Sequence, residues 1–415
     1  MAASQLQMIA ELLDRRDVKK AEVAAAKLLR TTLSQPERAQ ALVMRARARL
    51  LNGRPDEAMA DLDEARALAA ADSAQPGVIE LTADCHLLRF EMASVGFADR
   101  GETIRAQQLY SRIVSEFPQY VNLGWVYYQL GRVALIDADV DRADAYFRAA
   151  LFAPSHVATL TAFCYERLGF IAFYERRSPD SALGFLDKAL YTCPADGPLT
   201  WIVQVYILRS RVLRAMNQHH LALAAAEKAL ALAENTGVEN RAVWAEALLA
   251  AAELAVSLPG REREAVSHLQ QFLQISRKPL GVDVTWSRVY EMLGDAYTGL
   301  SQFEQAASAF RSALQYNPYH PWEASLLFRI ARACYQHSSY EDAVVAVQQY
   351  VAVVEQDGDT VQDYRVYDVL GNAQFALGRY AEAFASYETA LHLAPANASD
   401  LDKIRRYQQF AQELR

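Results

Sequence analysis

Two stretches of the chain align without a gap: LGDAYTGLSQFEQAASAFRSALQYNP at residues 293–318 and LGNAQFALGRYAEAFASYETALHLAP at residues 370–395. Leu, Gly, Ala, Leu, Ala, Ala, Leu and Pro recur at the same places in both. Self-similarity at this period constrains the fold more than local propensity does, because a short unit cannot bury its apolar face alone and must stack on copies of itself. Each copy reads as two helices joined by a turn, so the chain is expected to be an all-α solenoid.

The second alanine of the motif, Ala306 or Ala383, serves as a ruler. Counterparts stand at Ala21, Ala58, Ala106, Ala143, Ala182, Ala222, Ala265 and Ala343, which gives ten helical hairpins at spacings of 37 to 48 residues. Proline tests this scheme, since a proline inside a helix costs about 3 kcal/mol. Pro118, Pro154, Pro194, Pro318 and Pro395 follow second helices, and Pro55, Pro179 and Pro259 fall in the turns inside hairpins. Pro36 and Pro321 open first helices, while Pro76, Pro198 and Pro279 lie in connecting segments. Gly131, Gly169, Gly294 and Gly371 mark places where the first helix is closely crossed, and Tyr110, Phe147, Phe310 and Tyr387 fill an aromatic slot of the core. After Pro395 the sequence ASDLDKIRRYQQFAQELR reads as one more helix, with Ser399 or Asp400 as its cap and Leu401, Ile404 and Phe410 on one stripe. The expected organisation is a single solenoid of ten hairpins over residues 1–398 and a capping helix over 399–415. Longer connections at 94–102, 276–285 and 355–363 are surface loops or partner contacts.

Apolar residues make up 52 % of the chain and charged residues 22 %, which allows a substantial core and excludes disorder. The formal net charge of -8 argues against a general nucleic-acid or anionic-membrane binder, which needs clustered Lys and Arg. The balance is uneven: residues 1–50 carry an excess of about five positive charges and residues 301–415 an excess of about five negative ones. Cys85, Cys164, Cys193 and Cys334 are far apart and read as small buried hydrophobes. No CxxC pair, HExxH, GxSxG or phosphate-binding glycine loop occurs, so neither an enzyme nor a cofactor nor a metal site is expected. The amino-terminal MAASQLQMIAELLDRRD enters an amphipathic helix without the apolar core of a secretory signal. The most apolar segment, 242–258, is interrupted by Glu246 and Glu253 and is too short to span a bilayer. These features lead to the expectation of a cytoplasmic protein with no membrane insertion.

Tyr290, Leu293, Gly294, Tyr297, Phe303, Ala306, Phe310, Ala313 and Pro318 together form a pattern that resembles the tetratricopeptide repeat. Tyr367, Leu370, Gly371, Tyr380, Ala383, Tyr387, Ala390 and Pro395 fit the same pattern with Gln374 in place of an aromatic, and Tyr127, Leu130, Gly131, Ala143, Phe147 and Ala150 follow it in the fourth hairpin. The resemblance implies a right-handed superhelical solenoid whose first helices line a concave groove that captures peptides or helices of other proteins. The long repeats are similar to those of bacterial signal-transduction arrays.

Residues for recognition are sought on the first-helix face rather than in the repeat slots. The position after the Gly slot holds Arg47, Arg132, Arg211 and Arg332, and a row of guanidinium groups favours carboxylates. Helix-forming Arg on a solvated face is the alternative. Trp125, Tyr128 and Gln129 share the face of Arg132, and Phe328 lies beside Arg332. Asn372 takes the same slot near the end of the chain, but Asp368 stands four residues before it, where chaperone adaptors carry a lysine that grips a terminal carboxylate. The sequence therefore leads to a non-enzymatic scaffold or adaptor for a protein or peptide partner, with acidic character favoured and oligomeric state open. A regulator switched by a small signalling peptide is the alternative function.

Overall fold

The computed structural model describes residues 2–15, 17–68, 75–93, 99–236, 240–317, 323–356 and 358–415. Pro318, Pro321, Asp357 and residues 94–98 of the expected long turn lie outside them. Among the described residues there are 21 α-helices and no strand. The chain divides into two compact units, Met1–Gly197 and Pro198–Arg415.

The first unit holds α1 (Ala2–Asp14), α2 (Val18–Leu28), α3 (Gln35–Leu51), α4 (Pro55–Leu68), α5 (Pro76–Met92), α6 (Arg100–Glu116), α7 (Leu123–Ile136), α8 (Val140–Phe152), α9 (Leu160–Phe170) and α10 (Pro179–Thr192). A π-helical turn, Ile171–Glu175, extends α9. The second unit holds α11 (Leu199–Ala215), α12 (His219–Ala233), α13 (Arg241–Ser257), α14 (Glu262–Ile275), α15 (Val284–Gly299), α16 (Phe303–Tyr316), α17 (Glu323–Gln336), α18 (Tyr340–Gln356), α19 (Tyr364–Ala376), α20 (Tyr380–Leu393) and α21 (Leu401–Leu414). From α3 onward the helices within each unit pack most extensively as odd–even pairs: α7 with α8, α15 with α16, α19 with α20.

All ten ruler alanines fall on even-numbered helices and are fully buried. The glycine slots explain why the pairs sit so close. A Cβ at Gly131 would lie 2.6 Å from the Phe147 ring, and one at Gly371 would lie 2.7 Å from the ring of Tyr387. The crossing neighbour is thus the aromatic ring of the same pair's second helix, and glycine is where that ring enters. Phe147 and Tyr387 are fully buried, Phe310 nearly so.

Most of the turns inside the pairs are built alike. Ala138, Asn217, Ser301 and Ser338 adopt positive φ at the place where Gly53 and Gly378 do so in other pairs. The residue after each bonds back to a carbonyl five positions earlier, as in Asp139 N to Ala134 O and Ser339 N to Cys334 O, both 2.8 Å. This is the Schellman closure, which satisfies carbonyls that the ended helix leaves open. Pro55, Pro76 and Pro179 are the first residues of α4, α5 and α10, where their fixed φ suits the helix and no N–H is missed.

The final helix, α21, covers the buried Ala383, Tyr387 and Ala390 of α20 with Ile404 and Ala411. That stripe differs from the expected one: Phe410 is 48 % exposed, and Ala411 takes its place in the core. A smaller residue suffices because the Tyr407 ring already stacks on Tyr387 at 6.3 Å. Cys85, Cys164 and Cys334 are buried as expected, whereas Cys193 is half-buried. Among the described residues no helix is long and apolar enough to cross a membrane.

Candidate functional site

In the first unit the four α7 residues singled out by spacing come together, but they do so around a partner helix. Asp84 of α5 accepts hydrogen bonds from Gln129 Nε2 at 2.9 Å, Trp125 Nε1 at 3.5 Å, and the Tyr110 hydroxyl. Arg132 donates to Gln129 Oε1 at 2.8 Å and to Glu91 Oε1 of the same α5. Trp125 and Tyr128 stack with centroids 5.3 Å apart, and Tyr128 reaches Phe147 at 5.6 Å. Tyr128 and Gln129 are buried, Trp125 and Arg132 half-buried.

One turn before Asp84, Glu80 is 8 % exposed. Asn122 Nδ2 donates to both its oxygens at 3.0 Å. Burial, then the charge of Asp84, pushes the Glu80 carboxyl up to about 8, with Asn122, Tyr120 and Arg47 acting in the opposite direction. Burial also raises Asp84, against the hydrogen bonds from Tyr110, Gln129 and Trp125. Two carboxyls at i and i+4 in a dry setting cannot both ionise readily, so the pair retains a proton near neutrality. Arg47 of α3, half-buried, is the cation that bears on Glu80 from the preceding pair. The unit's Arg47, Trp125, Gln129 and Arg132 therefore belong to a polar network centred on Glu80 and Asp84, which spacing alone did not single out, while Tyr128 packs beside it among the rings of Trp125, Phe147 and Phe163.

In the second unit, Arg211 is exposed on α11. Carboxylates of neighbouring first helices engage Arg214, Arg288 and Arg329. Arg214 of α11 and Arg288 of α15 meet Glu253 of α13 at 3.1 and 2.9 Å. Arg329 of α17 meets Glu291 and Asp295 of α15 at 3.2 and 3.0 Å.

Arg332 is arranged differently. Together with Phe328 and Asn372 it lines a cavity of about 270 Å³ between α17, α19 and α21. Its guanidinium lies 6.0 Å from the Phe328 ring centroid. Arg365 and Lys403 add two further exposed cations to the wall, and Tyr335 and Val369 add apolar surface. Asp368 and Asp400 supply the carboxylates. Asp368 accepts from Asn372 Nδ2 at 2.9 Å, and burial raises its carboxyl while Lys403 and Asn372 lower it. Asn372 is fixed from behind by the Tyr387 hydroxyl at 3.1 Å. Arg365 is clamped to Asp363 at 2.6 Å, and Asp400 accepts from the Tyr364 hydroxyl at 2.8 Å. Three residues chosen by spacing thus share one concavity. Arg365 and Lys403 were missed, and Asp368 was read only as standing where a lysine would grip a carboxylate; Lys403 lies on α21, which the sequence presented only as a cap.

Models of the tetratricopeptide repeat match residues 9–75 and 291–359, 364–397, and 203–236. No curated protein matches the chain. Similar solved structures include a tetratricopeptide repeat protein from Parabacteroides merdae, at 13 % identity over 70 % of this chain and 98 % of that one, with a TM-score of 0.41. Another is the C-terminal part of a repeat-containing protein from Cytophaga hutchinsonii, at 16 % identity over 66 % and 98 %, with a TM-score of 0.45. The apo form of RapI is similar at 13 % identity over 90 % and 97 %, with a TM-score of 0.46.

Proposed function

We propose that this chain of tetratricopeptide repeats is a non-enzymatic scaffold that takes an acidic segment of a partner protein into the α17–α19–α21 cavity. The observation that carries the reading is the convergence of Phe328, Arg332 and Asn372 with the cations Arg365 and Lys403 on one concave surface. Arg332 offers paired donors in a plane already steadied by the Phe328 ring, which suits a side-chain carboxylate with an apolar neighbour. Asp368 and Asp400 share the same wall, so a segment carrying one carboxylate is favoured over an acidic run, which they would repel.

The test is selection from a random peptide display library on the full chain and on the Arg332→Ala/Lys403→Ala variant. The expected result is enrichment of Asp or Glu next to an aliphatic or aromatic residue, with affinity reduced about tenfold or more in the variant. Both substituted side chains are exposed, so helix content and the unfolding midpoint should be unchanged. Peptides without acidic enrichment, or peptides that bind the variant equally well, would overturn the proposal.

A further inference from the structure

The first unit presents a second concavity, with a different chemistry, between α1 and α2. Its volume is about 570 Å³. The floor is apolar: Met8 and Leu12 from α1 face Val23, Ala24 and Leu28 from α2. Met8 is 46 % exposed and Val23 54 %, although the opposite sides of the same helices bury Leu6, Ile9, Leu13, Ala21 and Ala25 in the core. Both faces of this hairpin are therefore apolar, and one of them is left open.

The rim has a single sign of charge. Lys19, Lys20 and Lys27 line the groove and are exposed, and no carboxylate lines it among the described residues. Lys20 is drawn to Asp17 at 2.5 Å. Glu22 of α2 is tied instead to Arg54 and, at 3.5 Å, to Arg49. Lys19, Val23 and Lys27 follow at intervals of four, so cation, apolar contact and cation succeed one another along one edge.

From this geometry we propose that the α1–α2 groove docks an amphipathic helix of a partner protein whose apolar stripe is flanked by Asp and Glu. Charge complementarity selects the occupant: a basic or neutral helix would leave the lysines unanswered over a desolvated floor. The form of the occupant follows from the groove. Two helices present a trough that a third fills by ridge-into-groove packing, and α2 is long enough for about three turns of such a helix. The inference concerns the first unit and does not depend on the α17–α19–α21 cavity.

Fluorescence anisotropy with synthetic peptides tests it. The probe is a labelled helix of about 15 residues with Leu at i, i+4, i+7 and i+11 and Glu on both flanks; the control replaces every Glu with Lys. The full chain carrying Arg332→Ala and Lys403→Ala is used, so that acidic peptides cannot report on the other cavity. The Glu peptide should bind about tenfold tighter than the Lys peptide, with affinity falling as salt rises. Lys19→Glu/Lys27→Glu should reverse the preference, and Met8→Glu should remove binding of both. Equal binding of the two peptides would overturn the proposal, as would binding indifferent to Lys19→Glu/Lys27→Glu. Concentration-dependent self-association that Met8→Glu abolishes would also overturn it, by making a second copy of the chain the occupant.

Discussion

Glu80 shows how a single side chain couples packing to pH. Its carboxyl is held at about 8 against an ordinary value of 4.5, so between those limits the folded chain keeps a proton that the unfolded chain has released. Stability must therefore fall as pH climbs through that window and level off above it. The expected loss is on the order of a few kcal/mol, with Asp84 sharing the titration. Urea unfolding of the native chain from pH 5 to pH 9 should show the midpoint declining, and Glu80→Gln should flatten the decline. An equal slope in the variant would assign the pH dependence elsewhere. Glu80 and Asp84 were not legible in the sequence, because they sit in a helix that is apolar on nearly every side and because Asn122, the partner that fixes Glu80, lies 42 positions away. Gly131 was legible, since its slot recurs. Its replacement by Ala would drive a methyl into the Phe147 ring, at 2.6 Å from the nearest ring carbon. Overpacking of about 1–3 kcal/mol outweighs the roughly 1 kcal/mol that Ala gains as a helix former. A lowered unfolding midpoint with retained helix content is expected for Gly131→Ala.

At the scale of elements, the turns carry a cost that substitution can remove. Ser301 and Ser338 hold φ of 59° and 65°, where a side chain is disfavoured and Gly is not. Both are exposed, and both occupy the Schellman position that Gly53 and Gly378 fill in other pairs. Ser301→Gly and Ser338→Gly should each raise stability by up to about 1 kcal/mol, read as a higher urea midpoint. No gain would mean that the serine side chains contribute something the backbone geometry does not. Helix existence and pairing were readable here because proline, glycine and the alanine ruler punctuate the chain at fixed intervals. The buried stripe of α21 was only partly readable. Periodicity allows Phe410 or Ala411 on the inner side, and the position of Tyr407 against α20 decides for Ala411.

At the scale of the molecule, each unit stacks its helix pairs so that residues of first helices meet those of neighbouring first helices. That contact decides the fate of the charged groups. Arg132 is taken by Glu91 and Gln129, and Arg329 by Glu291 and Asp295, while Arg332 faces a cavity. All three look alike in the sequence: an Arg on the first-helix face of a repeat. Half-exposed ion pairs of this kind add little stability, but they hold a guanidinium in place and leave its charge answered. The sequence by itself determined the helical repeat, the alanine and glycine positions where helices touch, and which residues share the first-helix face, because each of these follows from periods of a few residues or of one repeat. Which side chains on that face are neutralised, which are buried beside a carboxylate, and which surround a cavity was decided only by the tertiary structure. Those outcomes depend on residues about 40 positions apart, brought together when one repeat is laid against the next.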